Sequence, residues 1–255
     1  MLKNLIKSIP LLIFSIFANS QDILPPVLEW SGKSEKLVVD KTHPWVTPFE
    51  LSDYLDSPDY KNTVEWFEKL AESSDLISIE SIGKSAQGRK IIMVKASKDK
   101  EFLNNSEIKS SKAILFAHAG IHSGEIDGKD AGMMLLRDIA HSKKNDLLED
   151  VNILFVPILN VDGHERRSKY ARVNQRGPAE MGWRTNARNL NLNRDYTKIE
   201  TEGIRAVIAV LNKYQPQLYI DMHVTDGADY QYDITYGFNS FANYSPEINK
   251  WLINN

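Results

Sequence analysis

The chain carries, at residues 113–141, the stretch AILFAHAGIHSGEIDGKDAGMMLLRDIAH, in which a short apolar run, a glycine-rich loop and a longer, largely apolar segment follow one another. The run at residues 113–117 predicts a buried strand, and Asp127–His141 has the length of a helix. Residues 151–159 and 218–222 are two further apolar runs, and between them Ile204, Val207, Ile208 and Leu211 recur at helical spacing. This alternation predicts an α/β fold with a mostly parallel or mixed central sheet that helices cover on both faces.

Working outward from this stretch, the preceding residues predict a helix and a hairpin. Apolar residues recur at helical spacing over residues 62–73, and two alternating runs follow at 76–82 and 90–96. Residues 85–89, Ser-Ala-Gln-Gly-Arg, separate these two runs. The glycine in this connection is typical of a hairpin turn, so we expect the two strands to pair.

The composition excludes several classes of protein. The 255-residue chain has no cysteine, so disulfides, thiolate metal sites and a cysteine nucleophile are excluded, and any metal must be bound by His, Asp or Glu. Hydrophobic residues make up 42% and charged residues 25%, which are ordinary values for a globular protein and argue against disorder and against a polytopic membrane protein.

The first twenty residues resemble an export signal. Lys3 and Lys7 precede the apolar run 10–18, and small residues follow at the cleavage position. The run is too short to span a bilayer, so we expect no stable membrane anchor and a secreted or periplasmic protein. Cleavage would remove two lysines and no acid, moving the net charge from −3 to −5. The predicted organisation is a signal peptide at 1–20, an irregular segment at 21–55 and a catalytic domain at 56–255.

Histidines and carboxylates follow two of the predicted strands. His122 and Glu125 lie in the loop after the strand at 113–117, and Asp221 and His223 lie at the end of the strand at 218–222. The carboxyl ends of parallel strands meet at one edge of the sheet, so two imidazoles and one carboxylate could converge there as zinc ligands. Asp221 could then orient His223. The residues alone leave open that these groups only cap helices and turns, and His118 is not assigned as a ligand.

A basic segment separates the two groups of candidate ligands. Residues 166–194 contain eight lysines and arginines and one acid, Glu180. The segment has only Tyr170 and Trp183 as aromatics, so we do not expect nucleic-acid binding. A small carboxylate is the better candidate ligand, because arginine binds a carboxylate through two parallel hydrogen bonds.

These residues together resemble one family. The chain is similar to the M14 zinc carboxypeptidases, the carboxypeptidase A-like family, from about Tyr54 to its end. The similarity rests on five motifs in the family's order: His122-Ser-Gly-Glu125, Asn160-Val-Asp-Gly163, Trp183-Arg184, Asn193-Arg194 and Asp221-Met-His223.

The resemblance implies one Zn²⁺ ion bound by His122, Glu125 and His223. It also implies that Arg184 stabilises the developing oxyanion and that Asn193 and Arg194 bind the free C-terminal carboxylate of a peptide substrate. For Arg166, Arg167, Lys169 and Arg172 a solvated surface position is expected, and Asn160 and Gly163 are expected to hold the turn after their strand. The sequence does not predict the oligomeric state.

The sequence departs from the family in one respect. The family's general-base glutamate and its substrate-facing tyrosine lie far beyond the third zinc ligand, whereas only 32 residues follow His223. Glu247 is the only glutamate among them and matches no family motif. We therefore expect the chain to be a fragment whose C-terminal part is missing and which is inactive by itself.

Three hypotheses about function follow. The leading hypothesis is an exported zinc metallocarboxypeptidase that removes C-terminal residues from peptides with metal-activated water. A second is a zinc-dependent amidohydrolase or deacylase acting on a cell-wall peptide or an N-acyl amino acid. A third is a catalytically silent domain that binds zinc or a carboxylate.

Overall fold

The computed structural model of the protein describes residues 33–104, 110–142, 144–173, 175, 177–225, 227–228, 230–232, 234–237 and 245–254. The predicted signal peptide lies outside the described residues. The chain forms two units, Met1–Val224 and Thr225–Asn255, and everything below concerns the first of them unless stated otherwise. In the part of the chain that is described, no helix is both long enough and apolar enough to cross a bilayer.

Five strands form one mixed sheet. They are β1 (Ile77–Lys84), β2 (Lys90–Ala96), β3 (Ala113–His118), β4 (Val151–Val156) and β5 (Leu218–Asp221). Their spatial order is β1-β2-β4-β3-β5. β2 is antiparallel to β1 and β4, whereas β3 is parallel to both β4 and β5. The predicted fold class, a mixed α/β sheet, is confirmed.

Helices cover both faces of this sheet. The described α-helices are α1 (Pro48–Leu51), α2 (Tyr60–Ser73), α3 (Lys100–Asn104), α4 (Asp127–His141), α5 (Val161–Glu165), α6 (Glu202–Tyr214) and, in the second unit, α7 (Pro246–Asn254). Short 3-10 helices lie at Lys33–Leu37, Asn145–Leu148 and Leu192–Arg194. Apolar residues of α6 pack with Met93 and Phe116 on one face, and those of α2 and α4 pack with Val94 and Phe155 on the other.

The predicted hairpin joins β1 and β2. Ser85 N donates to Arg89 O at 2.8 Å, and Gly88 N donates to Ser85 O at 2.9 Å. Gly88 has a φ of +82°, a left-handed conformation that glycine adopts without steric cost. The turn therefore needs a glycine at this position, as its sequence indicates.

Two of the predicted strands differ from the structure. The strand expected over residues 151–159 ends at Val156, because Pro157 has no amide hydrogen to donate, and Leu159 N instead bonds Ala119 O in the neighbouring loop. The strand at 218–222 was predicted to be buried, which is wrong. Leu218 and Ile220 are 38% and 37% exposed, since β5 pairs only with β3 among the described residues.

A buried ion pair fastens the segment before α2 to the sheet-covering helix α4. Arg137 of α4 is completely buried and donates to both carboxylate oxygens of Glu50, at 2.8 and 2.7 Å. It also donates to Leu37 O at 2.8 Å. Glu50 and Thr47 form a capping box at the start of α1. The predicted irregular segment thus contains two short helices and is held by charge and hydrogen bonds.

Replacing Arg137 with methionine is expected to lower the free energy of unfolding by about 3–5 kcal/mol, because the change leaves a buried carboxylate without its counterion. Urea unfolding followed by circular dichroism would measure the loss. Lys100→Met removes one partner of the exposed Lys100–Asp75 pair and serves as control, with an expected change below about 1 kcal/mol.

The pH dependence of unfolding gives a second readout for the same ion pair. Burial opposes the charge of Glu50, but hydrogen bonds from Arg137 and Thr47 outweigh it and hold the pKa of Glu50 below its usual range. The stability that Glu50 contributes is therefore complete above its unfolded pKa of about 4.3 and is lost as the pH falls through the lowered pKa. A stability of Arg137→Met equal to that of the wild type at neutral pH would contradict this role.

Candidate metal centre

The candidate site lies where β3 and β5 end side by side. In the parallel pairing of these strands, His118 lies opposite Asp221. The chain after β3 turns through Gly120, whose φ of +65° lets it bend sharply, and then carries His122 and Glu125 into α4. The chain after β5 carries His223 to the same edge. Adjacent parallel strands thus bring together groups that lie about one hundred residues apart.

His122, Glu125 and His223 form a cluster of potential metal ligands. Their ligand atoms all lie within 4.8 Å of one another. Nδ1 of His122 is 2.9 Å from Glu125 Oε1, and Nδ1 of His223 is 2.9 Å from Glu125 Oε2. His122 and Glu125 are buried, whereas the side chain of His223 is 34% exposed, so the cluster is open on one side. Two imidazoles and a carboxylate with an open position fit a catalytic zinc ion.

Each candidate histidine ligand has an acceptor at its outer nitrogen. Nε2 of His122 is 3.2 Å from Asn191 Oδ1, and Nε2 of His223 is 3.0 Å from Asp221 Oδ2. An Nε2–H bonded in this way leaves Nδ1 free to bind a metal. Asp221 therefore contacts His223, and its role in orienting that ring stays a prediction. Asn191 was not predicted; its side chain also caps the short helix Leu192–Arg194 by accepting a hydrogen bond from Asn193 N.

The cluster is charged before any metal binds. Hydrogen bonds that His223 donates to Asp221 and Glu125 raise its pKa to about 9, against the opposing effect of burial. Burial acts against the charge of Glu125, but hydrogen bonds from His122 and His223 outweigh it and hold the pKa of Glu125 far below its usual range. A metal that binds Nδ1 of His223 must therefore displace a proton at neutral pH.

Two arginines contact the same glutamate. Nη1 of Arg184 is 3.5 Å from Glu125 Oε1, which places Arg184 beside the candidate ligands. Nη2 of Arg172 is 3.1 Å from the same oxygen, and Arg172 is only 5% exposed. The expected surface position of Arg172 is therefore wrong. A Cβ atom on Gly124 would lie 2.4 Å from Arg172 Cγ, so the glycine gives Arg172 its space.

A turn after β4 positions Arg184. Asn160 caps α5 by accepting a hydrogen bond from Gly163 N at 3.1 Å, and its amide donates to Arg184 O at 3.3 Å. Gly163 O accepts from Trp183 N at 2.8 Å, and a Cβ atom on Gly163 would lie 2.6 Å from Trp183 O. The expectation that Asn160 and Gly163 are structural fits these contacts, which fix the backbone on which Arg184 stands.

Asn193 lies beside the partly exposed His223, and Arg194 follows Asn193 in the chain. Asn193 Nδ2 is 3.4 Å from His223 Nε2. Arg194 is exposed and donates from Nη1 to Asn193 O at 2.7 Å. A solvent-exposed guanidinium beside an open ligand cluster is able to bind an approaching carboxylate.

The remaining basic and tail residues lie outside this cluster. Arg166 stacks over Trp183, with the guanidinium carbon 5.4 Å from the ring centroid, and Arg167 bonds Ser57 O and Asp56. Glu247 lies in α7 of the second unit. That Glu247 has no catalytic role stays a prediction.

The chain matches the family model of the zinc carboxypeptidases over residues 63–249. It is 28% identical over 186 residues to carboxypeptidase 2 of Trichophyton rubrum, covering 71% of this chain and 31% of that protein. It is 24% identical over 148 residues to carboxypeptidase B of Astacus astacus, covering 57% of this chain and 46% of that protein.

A solved structure shares the fold. A protein from Shewanella denitrificans, described as a carboxypeptidase A, superposes with a TM-score of 0.57 at 24% identity, covering 76% of this chain and 46% of that chain. The chain thus spans about a third to a half of the length of the curated relatives it matches. The match over residues 63–249, together with the ligand cluster at the strand ends, shows that the chain belongs to the zinc carboxypeptidase family.

Proposed function

We propose that the protein is an exported zinc metallocarboxypeptidase that hydrolyses the C-terminal residue from peptides. The observation that carries this proposal is the convergence of His122, Glu125 and His223 within 4.8 Å, with Arg184 in contact with Glu125. The export part of the proposal rests on the signal-like sequence at residues 1–20.

The residues of the cluster and its neighbours would have three different roles in peptide hydrolysis. His122, Glu125 and His223 would hold one Zn²⁺ ion, which supplies a Lewis acid that polarises the scissile carbonyl and activates water. Arg184 would donate to the oxygen on which negative charge develops. Asn193 and Arg194 would hold the substrate's terminal carboxylate, so that the last peptide bond lies beside the metal.

Arg194→Ala in the full natural protein is expected to weaken the binding of peptides with a free C-terminus by about 10- to 100-fold, as for a lost hydrogen bond between charged groups. C-terminally amidated peptides should be far less affected, because they have no carboxylate to lose. Steady-state kinetics or inhibition constants on matched peptide pairs would measure the difference.

Arg188→Ala is the matched control for this experiment. Arg188 belongs to the same basic segment but bonds Glu200 O and Glu202, so its loss should affect both peptides little. Equal losses on free and amidated peptides for Arg194→Ala would contradict the carboxypeptidase proposal and favour an endopeptidase.

A further inference from the structure

His118 is a buried histidine close to the metal centre that is not one of its candidate ligands. It is the last residue of β3 and is completely buried. Burial lowers its pKa to about 4, so the ring is neutral at pH 7 and carries one N–H. Its two nitrogens therefore need different partners, one that donates and one that accepts.

Two tyrosines occupy one side of the His118 ring. Nε2 is 2.6 Å from the hydroxyl of Tyr219 and 3.3 Å from that of Tyr196, and the two hydroxyls are 2.5 Å apart. The two shorter contacts are both hydrogen bonds if Tyr196 donates to Tyr219 and Tyr219 donates to Nε2. Nε2 is then the acceptor, and the single ring hydrogen lies on Nδ1.

Asp221 lies on the other side of the ring. Nδ1 of His118 is 3.4 Å from Asp221 Oδ1, and both atoms are buried without a hydrogen-bond partner among the described residues. The second oxygen of Asp221 is the one that lies 3.0 Å from Nε2 of His223. A donor and an acceptor that are both buried gain stability when they bond each other, because each is costly when left alone.

We propose that His118 is a positioning residue that holds Asp221 against His223 and so fixes the orientation of that metal ligand. This rests on the proposed zinc site. The order of contacts is Tyr196, Tyr219, His118, Asp221 and His223. Any buried histidine needs a partner at each nitrogen. What distinguishes His118 is that its Nδ1 lies beside the carboxylate that also contacts His223.

Zinc affinity of three variants of the full natural protein tests the proposal, measured by competition with a chromophoric chelator. His118→Leu removes both polar contacts and is expected to weaken zinc binding by about 10- to 100-fold, the range typical of lost outer partners of metal ligands. His118→Asn keeps an amide N–H near the Nδ1 position and is expected to restore most of the affinity. Tyr219→Phe, which only frees Nε2, should cost less than His118→Leu.

His164→Leu provides the matched control. His164 is likewise buried, with a pKa that burial lowers to about 4, but its Nδ1 bonds Glu165, outside the metal centre. It should lower the melting temperature of the metal-free protein while leaving zinc affinity unchanged, which separates loss of packing from loss of positioning.

The outcomes distinguish this proposal from the function on which it rests. A wild-type protein without zinc affinity would contradict the proposed function. If the wild-type protein binds zinc, two results would overturn the role of His118. One is a zinc affinity of His118→Leu equal to that of the wild type, and the other is a zinc affinity of His118→Asn as low as that of His118→Leu. If His118→Leu does not fold, His118→Asn and Tyr219→Phe decide: both should bind zinc within about tenfold of the wild type, and a larger loss in His118→Asn would overturn the proposal.

Discussion

His122→Ala and His223→Ala are each expected to abolish stoichiometric zinc binding. Each change removes one of three ligands whose donor atoms lie within 4.8 Å of one another, and the two that remain cannot enclose the ion. We expect the zinc dissociation constant to rise by more than about 100-fold, beyond the cost of losing an outer partner. Metal analysis after dialysis against a metal-free buffer would measure the bound zinc directly.

His141→Ala is the control for these two variants. His141 ends α4, stacks on Trp45 and contacts Ser73, and none of these residues belongs to the ligand cluster. It should retain one zinc ion per chain. If both His122→Ala and His223→Ala also retain it, the assignment of the ligands is wrong.

The elements that carry the site could be predicted because their signals are local. The apolar run that forms β3, the glycine-rich loop and the length of α4 all appear within residues 113–141. His122 and Glu125 lie three residues apart in that loop, so their proximity follows from local geometry. Placing His223 beside His122 and Glu125 needed one further inference, that β5 lies parallel to β3. The observed parallel pairing of these strands agrees with that inference.

The contacts that the sequence did not reveal come from packing between distant segments. Arg172 lies 47 residues from Glu125 in the chain, and its side chain occupies the space that a Cβ atom on residue 124 would fill. His118 contacts tyrosines 78 and 101 residues further along the chain. Nothing in the local pattern distinguishes such a histidine from one that simply packs. β5 was predicted as buried from its apolar residues alone, which do not show whether a further strand pairs with it.

The second large effect is expected for Arg184→Ala, which should lower kcat by about 10²- to 10³-fold in the full natural protein while changing KM little. The backbone of Arg184 is held by a hydrogen bond from Asn160 and by the contacts of the preceding Trp183. The guanidinium of Arg184 lies 3.5 Å from Glu125 Oε1, at the edge of the candidate metal centre. A donor held beside the metal acts on charge that develops only in the transition state, so its loss affects turnover more than binding.

The comparison that tests this assignment uses another arginine of the same basic segment. Arg166→Ala removes a guanidinium that stacks over Trp183, and it should leave kcat within a few-fold of the wild type. Steady-state kinetics on one peptide with a free C-terminus, for the wild type and both variants at equal zinc occupancy, would give kcat and KM separately. A raised KM with unchanged kcat for Arg184→Ala would mean that Arg184 binds the ground-state substrate. The stabilisation of the oxyanion would then have to come from another donor, and Arg172, 3.1 Å from the same glutamate oxygen, would be the first residue to replace.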